Sequence, residues 1–478
     1  MPPWNVPAHG TAASLSPFTP RGPRADLARL EASDRKHLWK PFTQMAGYVR
    51  DAPIVVEEGL GNWLRDAAGR EYLDGVSSLW VNLHGHRHPR IMARLREQLD
   101  RLDHSTMLGP TNVPAVQLAE RLVGIAPGER LSRVFYSDSG STAVEVAVKM
   151  AFQFHAQHRD AALRQRSVFI TLTNAYHGDT LGSVAVGGID LFHQMYEPLL
   201  FQTVKAPGPD PFHRAFGQDV AEHEAGCLAA LRARFEEHDG RVAALVMEPL
   251  MQGAAGMLRH SAEYLRAAVA IAREHGALVV LDEVATGFGR SGHMFAADLA
   301  GVDPDLLCVA KGITGGVLPL AATLASEAVY EGFLGDQDEY RTFFHGHSYT
   351  GNPLACAAAL ASLEVFEEEH TLERLQGTIA RLGDHLDAFR GHPHVGDVRR
   401  LGVMTGIELV ADRATGRPFD SDPAVAQRVI RLCAERGVLV RPLGDVVVLM
   451  PPLSITHDEL DLLCGVVFEA IDEATRAL

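Results

Sequence analysis

No stretch of this 478-residue chain approaches the roughly 18–20 consecutive apolar residues that a membrane-spanning helix needs. The expectation is a protein with no membrane partner. The N-terminal stretch MPPWNVPAHGTAASLSPFTPRGPRADL lacks the continuous apolar core of a secretory signal, and its proline, serine and glycine content predicts a flexible tail over residues 1–24. Basic residues are in deficit: 44 Lys and Arg against 60 Asp and Glu leave a formal net charge of −16. An acidic surface argues against nucleic acid as a partner, because phosphate binding needs a basic face. The cysteines are few and odd in number (Cys227, Cys308, Cys356, Cys433 and Cys464), with no CxxC pair. Reduced thiols in the cytoplasm are the simplest reading. No internal repeat is visible.

What is present is ordinary globular composition, 46% hydrophobic and 22% charged, in a chain long enough for two domains. Turn signals at Gly61–Asn62 and Ala68–Gly69 separate short β-like pieces near the N-terminus. Residues 91–102 have helical periodicity. From about Gln117 apolar strand-like runs alternate with amphipathic helices (RVFYS, SVFITL, VAALVMEP, ALVVLDE), which predicts a βαβ series and a mostly parallel sheet. From about Thr371 helices mix with strand-like runs. The fold class is therefore α/β, with a large domain over residues 91–345 and a smaller α+β domain over 346–478. Residues 25–90 are expected to pack with the small domain.

The chemistry is concentrated in residues 278–316. Two apolar runs, 278–281 and 306–310, read as buried parallel strands, and each is followed by one charged residue, Asp282 and Lys311. Open α/β sheets bind ligands at the carboxyl ends of their strands, so an acid and an amine are expected at one ligand. That pair suits pyridoxal phosphate: the lysine can form a Schiff base with the aldehyde, and the aspartate can keep the pyridine nitrogen protonated. A turn aspartate and a lysine snorkelling to the surface are the alternatives.

Other strand ends add candidates. SDSGST (137–142) lies between a strand and a helix, where free N–H groups make an anion site; Gly140 and Ser141 are candidate phosphate ligands, an ordinary N-cap being the alternative. Tyr176, in YHGD, can lie flat against a cofactor ring with Asp179 as its polar support. Glu248 and Gln252 follow a further strand and could bond near a cofactor hydroxyl. Ser348 and Thr350 in FFHGHSYTGNP offer more hydroxyls for a phosphate. Arg441, between apolar runs, suits a substrate carboxylate, or else a surface salt bridge. The alternating histidines His84, His86 and His88, repeated at His345 and His347, raise metal binding as a rival, but no Cys or carboxylate partner pattern accompanies them; no metal is expected.

Taken together, DSGSTAVEVAVKMA, AYHGDT, MEPLMQGAAGM, LDEVATGFGRSG, AKGITGG and HGHSYTGNPLAC resemble the class III (ω-amino) aminotransferases, pyridoxal-phosphate enzymes of fold type I. HLWKPFTQM, DGVSSLWVNLHGHRHP and RPLGDVVVLMPPL resemble the branch that aminates 8-amino-7-oxononanoate in biotin biosynthesis by a ping-pong mechanism. The resemblance implies Lys311 as the Schiff-base lysine, Asp282 as the pyridinium partner and Tyr176 as the ring cover, all three catalytic. It implies Gly140 and Ser141 on the phosphate, Ser348 with His347 beside it reaching the phosphate across a homodimer interface, and Trp80, Phe42, Arg290, Gly346 and Arg441 at the substrate, Arg441 on its carboxylate. The branch using S-adenosylmethionine as amino donor carries a tyrosine where Phe42 stands and paired tryptophans where Leu79–Trp80 stand; the LWKPFTQM segment and the HGHSYTGN loop are more similar to the branch using lysine. Either donor is thus implied, and another ω-aminotransferase specificity, for a diamine or a γ-amino acid, is the alternative.

Overall fold

The computed structural model describes residues 14–214, 218–419 and 424–476. Its centre is a seven-stranded sheet, ordered Leu131–Ser137, Ala321–Ser326, Leu306–Val309, Leu278–Asp282, Val242–Met247, Val168–Leu172 and Val204–Ala206. Neighbours from Leu306–Val309 to Val204–Ala206 are parallel, while Ala321–Ser326 runs antiparallel to both of its neighbours. The central strands are buried along their whole length, VAALVM and LLCV among them. Parallel strands covered by helices on both faces need such unbroken apolar runs. On one face the helix Gly140–Ala156 lays Ala143, Val144, Ala147 and Ala151 against the sheet. On the other, Ala262–Glu274 contributes Tyr264, Leu265, Ala268 and Ala272 to the main core.

The N-terminal turns form as expected: Gly61 and Gly69 take positive φ between the strands Val56–Leu60, Trp63–Asp66 and Glu71–Asp74. This sheet gains a fourth, parallel strand from far along the chain, Val438–Leu439. Trp63 and Leu73 share a core with the C-terminal helices, and Trp63 Nε1 donates to Glu459 Oε1 at 2.7 Å. A separate antiparallel sheet, Val395–Leu401, Met404–Leu409, Val446–Leu449 and Arg441–Leu443, is backed by the helices Thr371–Gly391 and His457–Thr475.

Two boundaries differ from expectation. The tail predicted over residues 1–24 is anchored in its second half: Arg24 N donates to Ala67 O, Arg65 bonds Thr19 O, and the Arg65 guanidinium lies 4.4 Å from the Phe18 ring centre. Gly69 is needed there, since a Cβ on it would meet Arg21 O at 2.3 Å. Residues 1–13 of that expectation lie outside the described residues. The helix Pro353–Glu368, assigned from sequence to the small domain, packs Ala355, Cys356, Ala359 and Leu363 into the main core. Its alanine-rich surface permits the close approach. Among the described residues no helix is long and apolar enough to cross a membrane.

Candidate active site

Four consecutive strands of the central sheet deliver side chains to one cavity of about 190 Å³. Asp282 ends Leu278–Asp282; Lys311 lies two residues beyond Leu306–Val309; Glu248 follows Val242–Met247; Tyr176 and His177 follow Val168–Leu172. The parallel register places Asp282 opposite Cys308, so Asp282 and Lys311, 29 positions apart, line one cavity by topology rather than by sequence distance.

Asp282, 4% exposed, is fixed from two sides: Oδ1 accepts from Val284 N at 3.0 Å, and Oδ2 lies 2.8 Å from His177 Nδ1. Burial opposes a charge on His177, but the hydrogen bond to Asp282 and the charges of Asp282 and Glu248 overcome it and raise its pKa. His177 therefore holds a proton more readily than a free imidazole, through its contact with Asp282. Glu248 has one oxygen on Tyr176 N (3.1 Å) and the other on Gly253 N (2.9 Å), clasping the two loops together. Burial, with Asp282 adding to it against the opposing effect of His177, pushes the Glu248 carboxyl up to about 7.

Lys311 is half-buried, lines the cavity and holds a left-handed φ of +44°. Its Nζ lies 4.9 Å from the Trp80 ring centre. Burial lowers its pKa, with Asp282 and Glu248 pulling the other way, which favours the neutral, nucleophilic amine. Trp80 Nε1 is buried and has no partner among the described residues.

The opposite end of the cavity is the N-terminus of Gly140–Ala156. Ser139 caps it in a reciprocal box with Thr142, and Ser139, Gly140 and Ser141 line the cavity. Both the anion-site and the N-cap readings of this segment therefore describe the same turn. A Cβ on Gly140 would meet Val284 Cγ1 at 2.6 Å. The Ser141 hydroxyl accepts from Asp179 N at 2.7 Å, and Gly178, at φ +112°, has room for no Cβ beside it. The Tyr176 hydroxyl donates to Asp179 Oδ2 at 2.8 Å; burial foremost, then that bond, pushes its pKa far up, so it stays protonated.

The cavity therefore joins a helix N-terminus flanked by hydroxyls, an aromatic side wall, a buried carboxylate, a lysine amine and an unsatisfied indole N–H. That donor set fits pyridoxal phosphate, which needs an anion site, an acid near its pyridine nitrogen and an amine near its aldehyde.

Other expected residues are not brought to the cavity within one chain. Arg290 is 1% exposed, and its guanidinium is spent on Pro451 O (2.5 Å), Ser77 Oγ (2.8 Å) and Asn82 O (2.9 Å). Gly346 and Ser348 are exposed, and His347 bonds only within its own loop, to Thr350 and Tyr349. Phe42 is 57% exposed and reaches the site through Phe192, whose ring stands against both Phe42 and Tyr176. Arg441 is half-buried and has no ion-pair partner among the described residues. Gln252 is buried with Nε2 on Thr173 O. Of the histidines weighed for metal, His84 bonds Ser362, His86 bonds Asp74 and His88 bonds Glu369. Among the described residues no three His, Cys, Asp or Glu side chains are grouped to hold a metal ion.

His177 is the functional residue that the sequence reading missed. A histidine at a buried strand end is costly unless a carboxylate meets it, and that is the signal its position carries in the sequence.

The family model described as aminotransferase class-III matches residues 45–471. A relative from Nitratidesulfovibrio vulgaris, named adenosylmethionine-8-amino-7-oxononanoate aminotransferase, is 53% identical over 96% of this chain and 84% of its own. One of the same name from Geobacter sulfurreducens is 49% identical over 95% of this chain and 99% of its own. The crystal structure of the enzyme of that name from Methanocaldococcus jannaschii superposes with a TM-score of 0.87 at 42% identity, covering 93% of this chain and 99% of the other. An amine transaminase from an uncultivated Pseudomonas species, solved in its PLP-bound form, gives 0.87 at 35% identity, covering 92% and 99%.

Proposed function

The chain belongs to the class-III aminotransferases, with the α/β architecture of fold type I, and from that membership we propose that it transfers an amino group to 8-amino-7-oxononanoate, forming 7,8-diaminononanoate for biotin synthesis. S-adenosylmethionine is the proposed donor, as in the names of its relatives. The observation that carries the reading is the convergence of Lys311, Asp282 and the Gly140 helix N-terminus on one cavity in a chain this similar to those relatives.

Pyridoxal phosphate, when bound, supplies an electrophilic carbon for amines and a sink for the electrons left by a departing proton. Ser139, Gly140 and Ser141, at the positive end of the helix dipole, would hold its phosphate. Asp282 would hold a proton on its ring nitrogen, and His177, bonded to Asp282, keeps that carboxylate oriented. Tyr176 walls the ring. Lys311 Nζ, lining the cavity, would bond the aldehyde and is the group placed to take a proton from the donor carbon and return it. Arg441, half-buried and without an ion-pair partner among the described residues, is the candidate for the acceptor carboxylate.

The working unit in this proposal is a homodimer in the cytoplasm. The exposed rings of Phe344 and Tyr349 flank Gly346, His347 and Ser348 on a surface that a second copy would cover, carrying those residues to its phosphate site. Five free, buried cysteines accord with a reducing compartment.

The test is a donor panel. Purified enzyme is given 8-amino-7-oxononanoate with S-adenosylmethionine or with lysine, and 7,8-diaminononanoate is quantified. Formation with S-adenosylmethionine alone is expected; formation with lysine alone moves the donor assignment. No product with either donor, together with amination of a semialdehyde, would replace this reading by a diamine or γ-amino-acid specificity, which the likeness to an amine transaminase favours.

A further inference from the structure

Ser77, Ser78, Leu79 and Trp80 all take positive φ, at +44°, +44°, +68° and +73°. Four successive residues with side chains in the left-handed region form a reversed turn. L-residues avoid it because Cβ crowds the following carbonyl oxygen, and single left-handed residues are the usual limit. Such strain persists only where the surroundings over-determine it, and it gathers at functional sites. This turn presents Trp80 to the cavity, with Lys311 Nζ 4.9 Å from its ring centre, and leaves Leu79 44% exposed beside it.

The braces come from the end of the preceding strand and from three distant parts of the chain. Asp74, 1% exposed, accepts Ser78 N on Oδ1 and Ser78 Oγ on Oδ2, both at 2.8 Å, and Oδ2 also meets His86 Nε2 at 3.0 Å. Ser77 Oγ donates to Met450 O at 2.5 Å and accepts from Arg290 Nη2 at 2.8 Å. Arg290 then spans the turn's exit at Asn82 O and the C-terminal segment at Pro451 O. Gly316, at the end of the loop that begins with Lys311, packs beneath the same exit: a Cβ there would meet Asn82 N at 2.7 Å. The turn is thus seated on the lysine's own loop.

We propose that Asp74, Ser77 and Arg290 are positioning residues that hold Ser77–Trp80 in its left-handed turn and so set the Trp80 wall of the cavity against Lys311. Arg290 acts on the substrate through this turn and not by contact. The proposal rests on the reading of Lys311 as the reacting amine.

The test uses the cofactor-loaded, full-length enzyme with Asp74→Asn and Ser77→Ala, each alone and with Ser78→Gly. Asp74→Asn takes away the acceptor for the Ser78 hydroxyl; Ser77→Ala removes one hydroxyl and keeps the fold's packing. Trp80 emission is isolated as the difference between each protein and its Trp80→Phe counterpart, since the chain holds four tryptophans. Each single variant is expected to lose about 10- to 100-fold in kcat/KM, the scale of a small misplacement at a reacting centre, and to shift Trp80 emission toward that of a water-exposed indole. Ser78→Gly is expected to restore at least half of both changes, because glycine takes positive φ without a Cβ to crowd. Parent-like kinetics and parent-like Trp80 emission in both single variants would overturn the proposal. So would a loss that tracks a lowered melting temperature and is not recovered by Ser78→Gly. Should Asp74→Asn fail to fold, Ser77→Ala decides by the same readouts. Trp80 emission does not depend on the acceptor used, so an error in the substrate assignment leaves this test intact.

Discussion

The cavity at the strand ends and the loop over residues 343–353 carry similar numbers of polar candidates, yet their environments are opposite. In the cavity, Asp282, His177 and Glu248 are all at most 5% exposed, and hydrogen bonds tie each to a residue that follows or ends another strand of the sheet. In the loop, Ser348 and Gly346 are exposed, His347 bonds only its neighbours, and the rings of Phe344 and Tyr349 stand 74% and 65% open. Buried charges are expensive unless paired, so the first constellation is one that a single chain has fully organised. The second has the composition of a surface awaiting a partner. In the proposed homodimer the contrast separates chemistry owned by one chain from contacts that need two.

The sharpest test of the first half is Lys311→Ala. Loss of the amine removes both the nucleophile and the proton carrier, and turnover should fall by at least about 10³-fold; the visible absorbance of the loaded enzyme should change with it. Turnover near the parent level would remove Lys311 from the mechanism. Asp282→Asn should follow with a loss of about 10²- to 10³-fold, the scale for removing one preorganised electrostatic partner. The amide can still accept from Val284 N but no longer offers His177 an anion. Burial, the largest influence on His177, is then less opposed, and its pKa should drop; NMR titration of the ring reads this independently of activity.

The unbroken apolar runs made the strands of the central sheet readable, and the charged residues ending them made Asp282 and Lys311 readable as well. Both signals are local, and parallel topology converts them into proximity. His177 was not readable in the same way, because its meaning depends on a hydrogen bond to a residue 105 positions away. Arg290 was read as a substrate neighbour, whereas the structure spends its guanidinium on Ser77, Asn82 and Pro451, contacts that no spacing announces. The anchored residues 14–24 and the alanine-rich helix Pro353–Glu368 failed for a related reason. Composition marked one as loose and position assigned the other to the small domain, but tertiary packing decided both.

Glu248 gives the comparison a thermodynamic form. Its carboxyl, 4.5 when unperturbed, stands at about 7 in the folded chain, with burial the largest cause. Between those values the folded state holds a proton that the unfolded state has lost, so folding stability falls as pH rises from about 4.5 to 7. The contribution amounts to about 3 kcal/mol at about 1.36 kcal/mol per pKa unit. Glu248→Gln should flatten this dependence in the cofactor-free protein, measured as denaturant unfolding at pH 5 and pH 7.5. An unchanged slope would show that Glu248 does not titrate in that window.

The smallest expected effect belongs to the loop. If a second copy brings Ser348 to the phosphate, Ser348→Ala removes one hydrogen bond to a charged group, worth about 1.5–3 kcal/mol. Cofactor affinity should then weaken by about 10- to 100-fold, with the fold intact because the side chain is exposed. Titration of the cofactor into the apoenzyme at concentrations where the dimer holds reads the change. Mixing Ser348→Ala with Lys311→Ala sharpens it further. In a mixed dimer one cavity carries neither substitution, having its own Lys311 and the other copy's Ser348, and that cavity should recover parent-like affinity. If both residues acted within one chain, neither subunit would hold an unaltered pair and no such cavity would appear. An unaltered cofactor affinity in Ser348→Ala would place the loop outside the site altogether and leave the cavity of one chain as the whole of it.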